Sequence, residues 1–460
     1  MSVKSGKHFL VTLLTAVAVI GCGGGGGEGR RVSDIVDDAT CATSEQLSAV
    51  LGIMEQWYFF NDEPAQQQKY GNLDLTGFAS TSDLLNFLRY QPQEFDRGFS
   101  FITTTEADQQ FFGEGQFVGF GFGSKFVDPP FNADLRLTRV FANSPAAAAG
   151  FERGQRVVSI NGRTIAEINA AEGLTAALGP GTEGTARTFR IRALDGSEFE
   201  VEISKALLTL DPLPTTTVFD LTNAKVGYLD FRTFISTADS ALDDAFAVFE
   251  AQGVNALVVD LRYNGGGLVS TAERLADLIA GFFANGEVLS ETRFNSANSA
   301  ANSVELFQER SQSLTLLQQV VVITTGSSAS ASELIINSLR PHTVVTLVGT
   351  TTFGKPVGQS AFGYCDGELL LRPVTFETVN SLGEGQYFNG IGVDCPAADE
   401  LEFALGDPAE ASLDTALQFI ETGSCGQVSS QSKLRSPLVP YADVPLEAAS
   451  TSAEHYAGAY

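Results

Sequence analysis

One stretch decides the fold of this chain: VVVITTGSSASASELIINSL, residues 320–339. An apolar, β-branched run opens it, a turn of glycine, serine and alanine follows, and apolar residues at helical spacing end it. Runs of the first kind are typical of buried strands, and small residues permit a sharp turn into a helix. The stretch therefore predicts a strand, a serine-rich turn and a helix, which is the repeating unit of an α/β protein.

Strand-like and helix-like segments also alternate on both sides of this stretch. They are Val226–Phe231, Ala238–Glu250, Leu257–Leu261, Thr271–Phe283 and Val344–Gly349. Such alternation predicts βα units around a mainly parallel sheet, whose functional residues lie beyond the carboxyl ends of the strands. We therefore predict an α/β core over residues 206–426.

Two chemically capable side chains follow predicted strands. Ser330 lies in the turn after residues 320–324, and Lys355 ends the motif TFGK after the strand at 344–349. Lys355 is also the only lysine between Lys225 and Lys433. A serine hydroxyl is a weak nucleophile unless a base takes its proton, and a desolvated lysine can be that base. The pattern predicts a serine hydrolase of the Ser–Lys kind.

Composition and charge restrict the kind of partner. The chain has 460 residues, and 43% of them are apolar, as in a globular protein. With 55 acidic residues against 28 Lys and Arg, the formal net charge is −27. No basic stripe is available to neutralise phosphates, so we expect no nucleic-acid partner.

The first 22 residues predict export. A basic start precedes the apolar run Phe9–Ile20, which is too short to span a bilayer of roughly 30 Å. VIGC at 19–22 resembles the bacterial lipobox, so we expect Cys22 to be lipidated and residues 23–40 to form a flexible tether. The protein would then be a membrane-anchored lipoprotein of the bacterial cell envelope, periplasmic or outer-membrane-associated. The alternative is a plain signal peptide with an incidental cysteine.

Four cysteines follow this segment: Cys41, Cys365, Cys395 and Cys425. An even number in an exported chain indicates disulfides, and four cysteines permit three pairings. The short spacing favours Cys365–Cys395 as a local clip, with Cys41–Cys425 as a tie between the ends. The chain has no C-x-x-C motif and only two histidines beyond residue 22, so we expect no metal and no cofactor.

The segments at the two ends, residues 41–107 and 427–460, differ in composition and periodicity. Residues 41–107 predict a small helical domain, because apolar residues recur at helical spacing in Ser44–Tyr58 and in Ser82–Tyr90. Residues 427–460 are rich in serine, proline and alanine and show little periodicity. They predict a poorly ordered tail.

Residues 108–205 consist of short β-prone runs broken by glycine. FVGFGF at 117–122 is followed by NSPA at 143–146 and by VVSING at 157–162. This order resembles a PDZ domain, with Gln155 where many PDZ domains have Asp. The resemblance implies that a peptide adds as a strand. Backbone N–H groups would hold its terminal carboxylate, at Gly119, Phe120, Gly121 and Phe122.

The glycine turn DLRYNGGG, residues 260–267, follows another predicted strand. It lacks the G-K-[ST] ending of a phosphate loop. It is either a bare turn or a place where a glycine N–H stabilises negative charge on a substrate carbonyl. The second such donor would be the N–H of Ala331, at the start of a helix whose dipole favours an oxyanion.

Three motifs, D-L-R-x-N-x-G-G, S-A-S-A-S-E and T-F-G-K, occur together in the order typical of one family. On them, residues 41–426 resemble the C-terminal processing peptidases, the tail-specific serine proteases. The resemblance implies a ClpP/crotonase-like α/β peptidase core with an inserted PDZ domain and a small helical N-terminal domain. It also implies Ser330 as the nucleophile, Lys355 as the general base and Gln359 as the side chain that orients this lysine. Gly266 and Ala331 match the oxyanion donors.

Other assignments of the nucleophile and base stay open at this point. Ser328 and Ser332 are rival serines, although helix capping would also explain them. Several family members have an acidic residue shortly after the serine helix, where this chain has Arg340-Pro341-His342. A Ser–His pair that uses His342 is therefore a further alternative.

Taken together, these patterns predict a serine endopeptidase that cleaves protein substrates recognised through their free C-terminal tails. One alternative is a non-catalytic, surface-tethered peptide-binding protein on a peptidase scaffold. Another is a Ser–Lys amidase that acts on small molecules. A scaffold has no need of the solitary lysine, and an amidase has no need of the PDZ-like segment.

The lipid anchor can be tested by replacing its acceptor. We expect Cys22→Ser to move the protein from the membrane fraction to the soluble fraction, because the remaining apolar run is too short to hold it in a bilayer. Cell fractionation with immunoblotting measures this against the wild type. A variant that still sediments with membranes would mean that the anchor lies elsewhere.

Overall fold

The computed structural model describes residues 41–90 and 95–426. The predicted signal, lipidation site Cys22, tether and tail lie outside these ranges. Within them, no helix is both long enough and apolar enough to cross a membrane.

The first described part is mainly helical, as its apolar spacing predicts. Its elements are α1 (Thr43–Trp57), α2 (Pro64–Tyr70), α3 (Thr81–Leu88), β1 (Phe101–Thr104) and α4 (Thr105–Asp108). Ser80 caps the start of helix α3, and its hydroxyl accepts a hydrogen bond of 3.1 Å from the N–H of Asp83. The buried face of α1, with Val50 and Met54, packs in one cluster with Leu369 and Leu371. This part therefore shares its core with residues far along the chain.

The next part consists of two antiparallel sheets with three short helices. Its strands are β2 (Gln116–Gly119), β3 (Phe122–Phe126), β4 (Leu135–Val140), β5 (Arg156–Ile160), β6 (Arg163–Thr164), β7 (Ala186–Arg192), β8 (Glu198–Ser204) and β9 (Ala206–Thr209). Its helices are α5 (Pro145–Ala148), α6 (Ile165–Ala171) and α7 (Gly173–Leu178). The order is β3-β4-β5-β7-β8, with β6 beside β5, while β2 pairs with β9. A separate buried cluster that includes Phe120, Val157 and Phe189 holds it together.

The remaining chain forms the α/β core. Its strands are β10 (Thr215–Asp220), β11 (Lys225–Asp230), β12 (Ala256–Asp260), β13 (Val288–Phe294), β14 (Ser303–Leu306), β15 (Gln319–Thr324), β16 (Val345–Gly349), β17 (Val357–Gln359), β18 (Phe362–Tyr364), β19 (Leu369–Arg372), β20 (Val374–Val379) and β21 (Cys395–Pro396). Its helices are α8 (Ala238–Gln252), α9 (Val269–Ala284), α10 (Ala331–Leu339) and α11 (Ala411–Thr422).

Six of these strands form the central sheet, in the order β10-β11-β12-β15-β16-β21. All neighbours are parallel except β10 and β11. Successive residues of β12 face opposite sides: Leu257 and Val259 pack with α8, α9 and α10, whereas Val258 packs with α11. Smaller sheets, β14-β13-β20-β17 and β1-β19-β18, lie outside it. The predicted α/β fold is confirmed.

The strand register brings three loops to one edge of the central sheet. Asp260, the last residue of β12, lies opposite Ile323, and Thr324 lies opposite Gly349. The glycine turn, the serine turn and the lysine loop (residues 350–356) therefore leave the sheet side by side. This is the edge where parallel α/β sheets place their functional residues.

The predicted disulfide pairing is wrong. Cys41 pairs with Cys365 across a Cα distance of 5.4 Å, and Cys395 pairs with Cys425 across 5.3 Å. Cys41 precedes α1, which packs on the sheet that ends next to Cys365, and Cys395 lies on the edge strand beside the end of α11. Cys395 is 30 residues from Cys425 and equally far from Cys365, so spacing could not choose between them.

Non-reducing peptide mapping should recover the two pairs Cys41–Cys365 and Cys395–Cys425. Replacing Cys395 and Cys425 together by alanine should lower the free energy of unfolding by about 3 kcal/mol, because it releases a closed loop of the unfolded chain. Urea unfolding measures this loss. A peptide in which Cys365 is joined to Cys395 would contradict the structure.

Candidate active site

Ser330 occupies the sharp turn between β15 and α10. Its backbone has φ 57° and ψ −115°, a conformation that residues with a side chain rarely adopt. Neighbouring loops hold this turn: the N–H of Ala329 donates to the carbonyl of Asn264 at 3.1 Å, and the N–H of Phe353 donates to the carbonyl of Ser328 at 2.9 Å. Ser330 itself stays partly exposed, so a substrate can reach its hydroxyl.

The rival serines are both fully buried. The hydroxyl of Ser328 donates to the carbonyl of Leu261 at 2.6 Å, and that of Ser332 donates to the carbonyl of Asn264 at 2.9 Å. Their expected role as helix caps is wrong, since both instead tie the serine turn to the glycine turn. Of the three serines, only Ser330 is placed to meet a substrate.

Lys355 lies in the lysine loop with its ammonium over the ring of Phe99, 5.1 Å from the ring centre. Burial lowers the pKa of Lys355 to about 8, although the negative charges of Asp96 and Glu333 act in the opposite direction. The neutral form of this lysine is therefore more populated near pH 7 than that of an ordinary lysine. The site thus contains a lysine that can act as a base.

A single buried carboxylate, that of Glu333, joins the serine turn to the lysine loop. It accepts four hydrogen bonds: from the N–H of Ser330 at 2.9 Å, the N–H of Lys355 at 2.8 Å, the N–H of Gly354 at 2.7 Å and the hydroxyl of Thr352 at 2.5 Å. The bonds from Ser330 and Lys355 end on the same oxygen. Burial raises the pKa of Glu333, while these donors favour its charged form.

The predicted partner of the lysine makes a different contact. The side-chain amide of Gln359 donates to the carbonyl of Phe99 at 2.8 Å. No hydrogen bond joins the Lys355 ammonium to Gln359 or to the Ser330 hydroxyl among the residues that the structure describes. Gln359 therefore contacts the surroundings of the lysine through Phe99.

The two predicted oxyanion donors lie side by side. A Cβ atom on Gly266 would lie 2.9 Å from the nitrogen of Ala331 and 2.8 Å from Cβ of Ser330, so only glycine fits there. The φ of Gly266, 102°, requires glycine as well. Its N–H, however, donates to the side-chain oxygen of Asn264 at 2.9 Å. A substrate carbonyl would have to share or replace that bond.

His342 lies away from this site. It follows α10, whose length places it about 13 Å or more from Ser330 along the helix axis. Its ring packs against Phe307, with its Nε2 3.0 Å from the carbonyl of Val288. The structure therefore leaves no place for His342 as the base that activates Ser330.

The glycine turn is anchored by a buried arginine. Arg262 is fully buried and pairs with Asp260 at 2.6 Å and with Glu410 at 2.7 Å. Such a network is costly to break, because removing one partner leaves a buried charge uncompensated. It therefore fixes the backbone just before Gly266.

Basic residues of the PDZ-like segment reach the same turn. Arg139 donates to the carbonyl of Arg262 at 2.7 Å, and Arg153 donates to the hydroxyl of Tyr263 at 2.9 Å. Arg153 and Lys125 both pair with Asp399. The segment is thus fastened to the loop that carries a candidate oxyanion donor.

The predicted carboxylate loop lies at the start of β3. The carbonyl of Phe120 accepts a hydrogen bond from Ala146 at 3.0 Å, and that of Gly121 accepts one from Phe141 at 2.9 Å. Strand β3 pairs only with β4 in the described part of the chain, so its other edge is open. An open edge beside such a loop can accept a peptide as an added strand.

Sequence reasoning missed Glu333 as the link between the two loops. An acid directly before the apolar run Leu334–Ile336 was the available signal, since buried acids need partners. It also missed Asp96 and Phe99, which lie more than 250 residues before Lys355. Nothing in the local sequence pattern connects them to that lysine. The described ranges contain no group of three residues able to hold a metal ion.

Part of the chain is similar to known peptidases. The profile of peptidase family S41 matches residues 225–395. The chain is 26% identical over 289 residues to the carboxy-terminal processing protease CtpA of Bacillus subtilis, covering 62% of this chain and 58% of that one. It is 27% identical over 321 residues to the chloroplastic carboxyl-terminal-processing peptidase 3 of Arabidopsis thaliana, covering 67% and 59%. The alignments thus span less than two thirds of these relatives.

Solved structures share the fold. A crystal structure described as an S41 protease from Bacteroides fragilis superimposes with a TM-score of 0.64 at 23% identity, covering 82% of this chain and 97% of that one. The photosystem II D1 C-terminal processing protease gives a TM-score of 0.50 at 19% identity, covering 78% and 94%.

Replacing Glu333 by glutamine tests the link between the loops. The amide nitrogen would face backbone N–H groups, so unsatisfied donors should cost about 1–3 kcal/mol of stability. We also expect a loss of peptide cleavage of roughly tenfold or more. Cleavage assays measure this loss, and urea unfolding of the same samples measures the change in stability. Glu309→Gln, a change to an exposed side chain, is the matched control. Wild-type activity in Glu333→Gln would refute this role.

Proposed function

Because the chain belongs to peptidase family S41, with carboxy-terminal processing proteases among its relatives, we propose that it is a serine endopeptidase that cleaves protein substrates. The observation that supports the proposal is that a reachable Ser330, in a strained turn, and Lys355, whose pKa is lowered to about 8, both donate their backbone N–H groups to one oxygen of Glu333. The Glu333 carboxylate fastens the backbones of both residues.

In the proposed mechanism, neutral Lys355 takes the proton of the Ser330 hydroxyl while the Ser330 oxygen attacks a peptide carbonyl. The resulting oxyanion accepts hydrogen bonds from the N–H groups of Gly266 and Ala331. Lys355 then gives the proton to the departing amine, which leaves an acyl group on Ser330. Water, deprotonated by the same lysine, hydrolyses this ester. The dipole of α10 also stabilises the oxyanion, because the N-terminus of this helix carries a partial positive charge.

Substrate selection is proposed to reside in the PDZ-like segment. A free C-terminal carboxylate would be held by backbone N–H groups of Gly119–Phe122, and the tail would pair with the open edge of β3. The ties of this segment to the glycine turn through Arg139 and Arg153 support a fixed relation between tail and reacting bond. We also propose that Cys22 anchors the enzyme in the bacterial envelope, where such substrates are exported proteins.

Substitutions at the two reacting residues test the proposal. Ser330→Ala and Lys355→Ala should each lower cleavage by roughly 10³-fold or more, and the double variant should be no worse, because neither side chain works without the other. Lys355→Arg should be equally inactive, since guanidinium keeps its proton. Gln359→Ala should be milder. Cleavage assays with circular dichroism, as a check of folding, measure these effects.

The pH dependence identifies the base. The pKa of Lys355 is lowered, and the neutral form is active, so cleavage should rise with pH along a limb with its midpoint at about 8. His342→Ala should keep this limb. Substantial cleavage by folded Lys355→Ala, together with loss of activity in His342→Ala, would show that the base is wrongly assigned.

Tail capture is tested with one peptide in two forms. If backbone N–H groups bind a carboxylate, amidation of the substrate's C-terminus should raise KM while kcat changes little, because the charge that they hold is lost. Steady-state kinetics with the free-acid and amidated peptides measures this. Equal KM values would argue that residues 108–205 have another role.

A further inference from the structure

A turn from the N-terminal part of the chain forms one wall of the active site. This turn comprises residues 96–100, with the sequence DRGFS, and connects the end of the helical region to β1. Arg97 donates to the carbonyl of Phe353 at 3.1 Å, two residues before Lys355. Ser100 accepts a hydrogen bond of 3.0 Å from the N–H of Val374. The turn is therefore bonded directly to the lysine loop and its neighbouring strand.

Within this turn, Phe99 makes the contact with the lysine itself. Its side chain is buried, and its ring lies 5.1 Å from the ammonium of Lys355. An aromatic face at this distance attracts a cation. The carbonyl of the same residue accepts the 2.8 Å hydrogen bond from Gln359, which holds Phe99 in place.

Asp96, in the same turn, adds a negative charge to the surroundings of Lys355. Its carboxylate is only 2% exposed and accepts hydrogen bonds from the hydroxyl of Tyr58 at 2.8 Å and from the hydroxyl of Ser100 at 2.7 Å. It forms no salt bridge within the described ranges. No cation of the described residues neutralises this carboxylate, and its charge acts to raise the pKa of Lys355.

We propose that Phe99 and Asp96 are positioning residues for Lys355, such that the ring seats the ammonium and the carboxylate favours its protonated form. This inference rests on the proposed role of Lys355 as the base. The N-terminal part of the chain thereby sets the pH at which the peptidase becomes active. The proposal also gives a role to the hydrogen bond from Gln359 to Phe99. The Gln359 amide holds Phe99 in position and thereby acts on Lys355 indirectly.

The charges around Lys355 give the sign of the effect. Burial lowers the pKa of Lys355, and Arg372 acts in the same direction, whereas Asp96 and Glu333 raise it. Arg372 is itself paired with Asp108 at 2.5 Å. Removing the charge of Asp96 therefore lowers the pKa further, so the neutral base persists at lower pH.

The test is Asp96→Asn, which keeps the shape and can still bond to Tyr58 and Ser100. We expect the rising limb of kcat against pH to move toward acid by about one unit. Independently of activity, the ¹³Cε resonance of Lys355 in labelled protein, assigned through Lys355→Arg, should show the same lower midpoint. Phe99→Leu should shift the midpoint in the same direction by less, with a lower kcat and an unchanged KM.

Asp83→Asn is the matched control, because it removes an equal charge from an exposed position of the same helical region and should leave both midpoints unchanged. Unchanged midpoints in folded Asp96→Asn and Phe99→Leu would overturn the inference and leave the proposed function standing. A wild-type protein that cleaves no substrate would instead refute the proposed function. The NMR midpoints would then still decide whether Asp96 acts on the lysine.

Discussion

The site depends on the four hydrogen bonds that the Glu333 carboxylate accepts. A buried carboxylate is costly unless donors surround it, and here the donors belong to two different loops. One oxygen holds the N–H of Ser330 and the N–H of Lys355 together. Because the buried carboxylate must be hydrogen-bonded to both loops, it fixes their relative positions. The strained φ of Ser330 persists for the same reason, because the neighbouring bonds over-determine the turn.

Each of the two other parts of the chain touches one loop of the site. The helical part reaches the lysine loop through Arg97 and Phe99. The PDZ-like part reaches the glycine turn through Arg139 and Arg153. The α/β core supplies the serine between them. Apart from the contact of the Phe99 ring with Lys355, these attachments are hydrogen bonds from arginines to carbonyl or hydroxyl oxygens, which makes them specific in geometry.

The α/β core was predictable from the sequence because strands and helices follow each other with clear apolar periods. The placement of Ser330 and Lys355 at strand ends follows from the same pattern, since parallel strands end at one edge. Contacts between distant segments were not predictable in this way. Phe99 meets Lys355 only because the helical part packs on the sheet containing β19, and no local period encodes that.

The cysteine pairing was predicted wrongly, and the contact of the Gly266 N–H with Asn264 was not predicted, for different reasons. Cys365 and Cys425 lie equally far from Cys395 along the chain. The pairing is decided by α11, which packs beside Cys395 and ends close to Cys425. The N–H of Gly266 points to Asn264 because of a two-residue turn, which the spacing of glycines does not reveal. Both depend on backbone geometry finer than a residue pattern.

Labelling with a fluorophosphonate, located by mass spectrometry, tests directly whether Lys355 activates Ser330, because this reagent reacts with serines that a neighbouring base has activated. The proposed Ser330–Lys355 mechanism predicts a single adduct on Ser330, formed at a rate that rises with pH through about 8 and is lost in Lys355→Ala. An adduct on Ser328 or Ser332, or labelling of Ser330 that persists without Lys355, would contradict it.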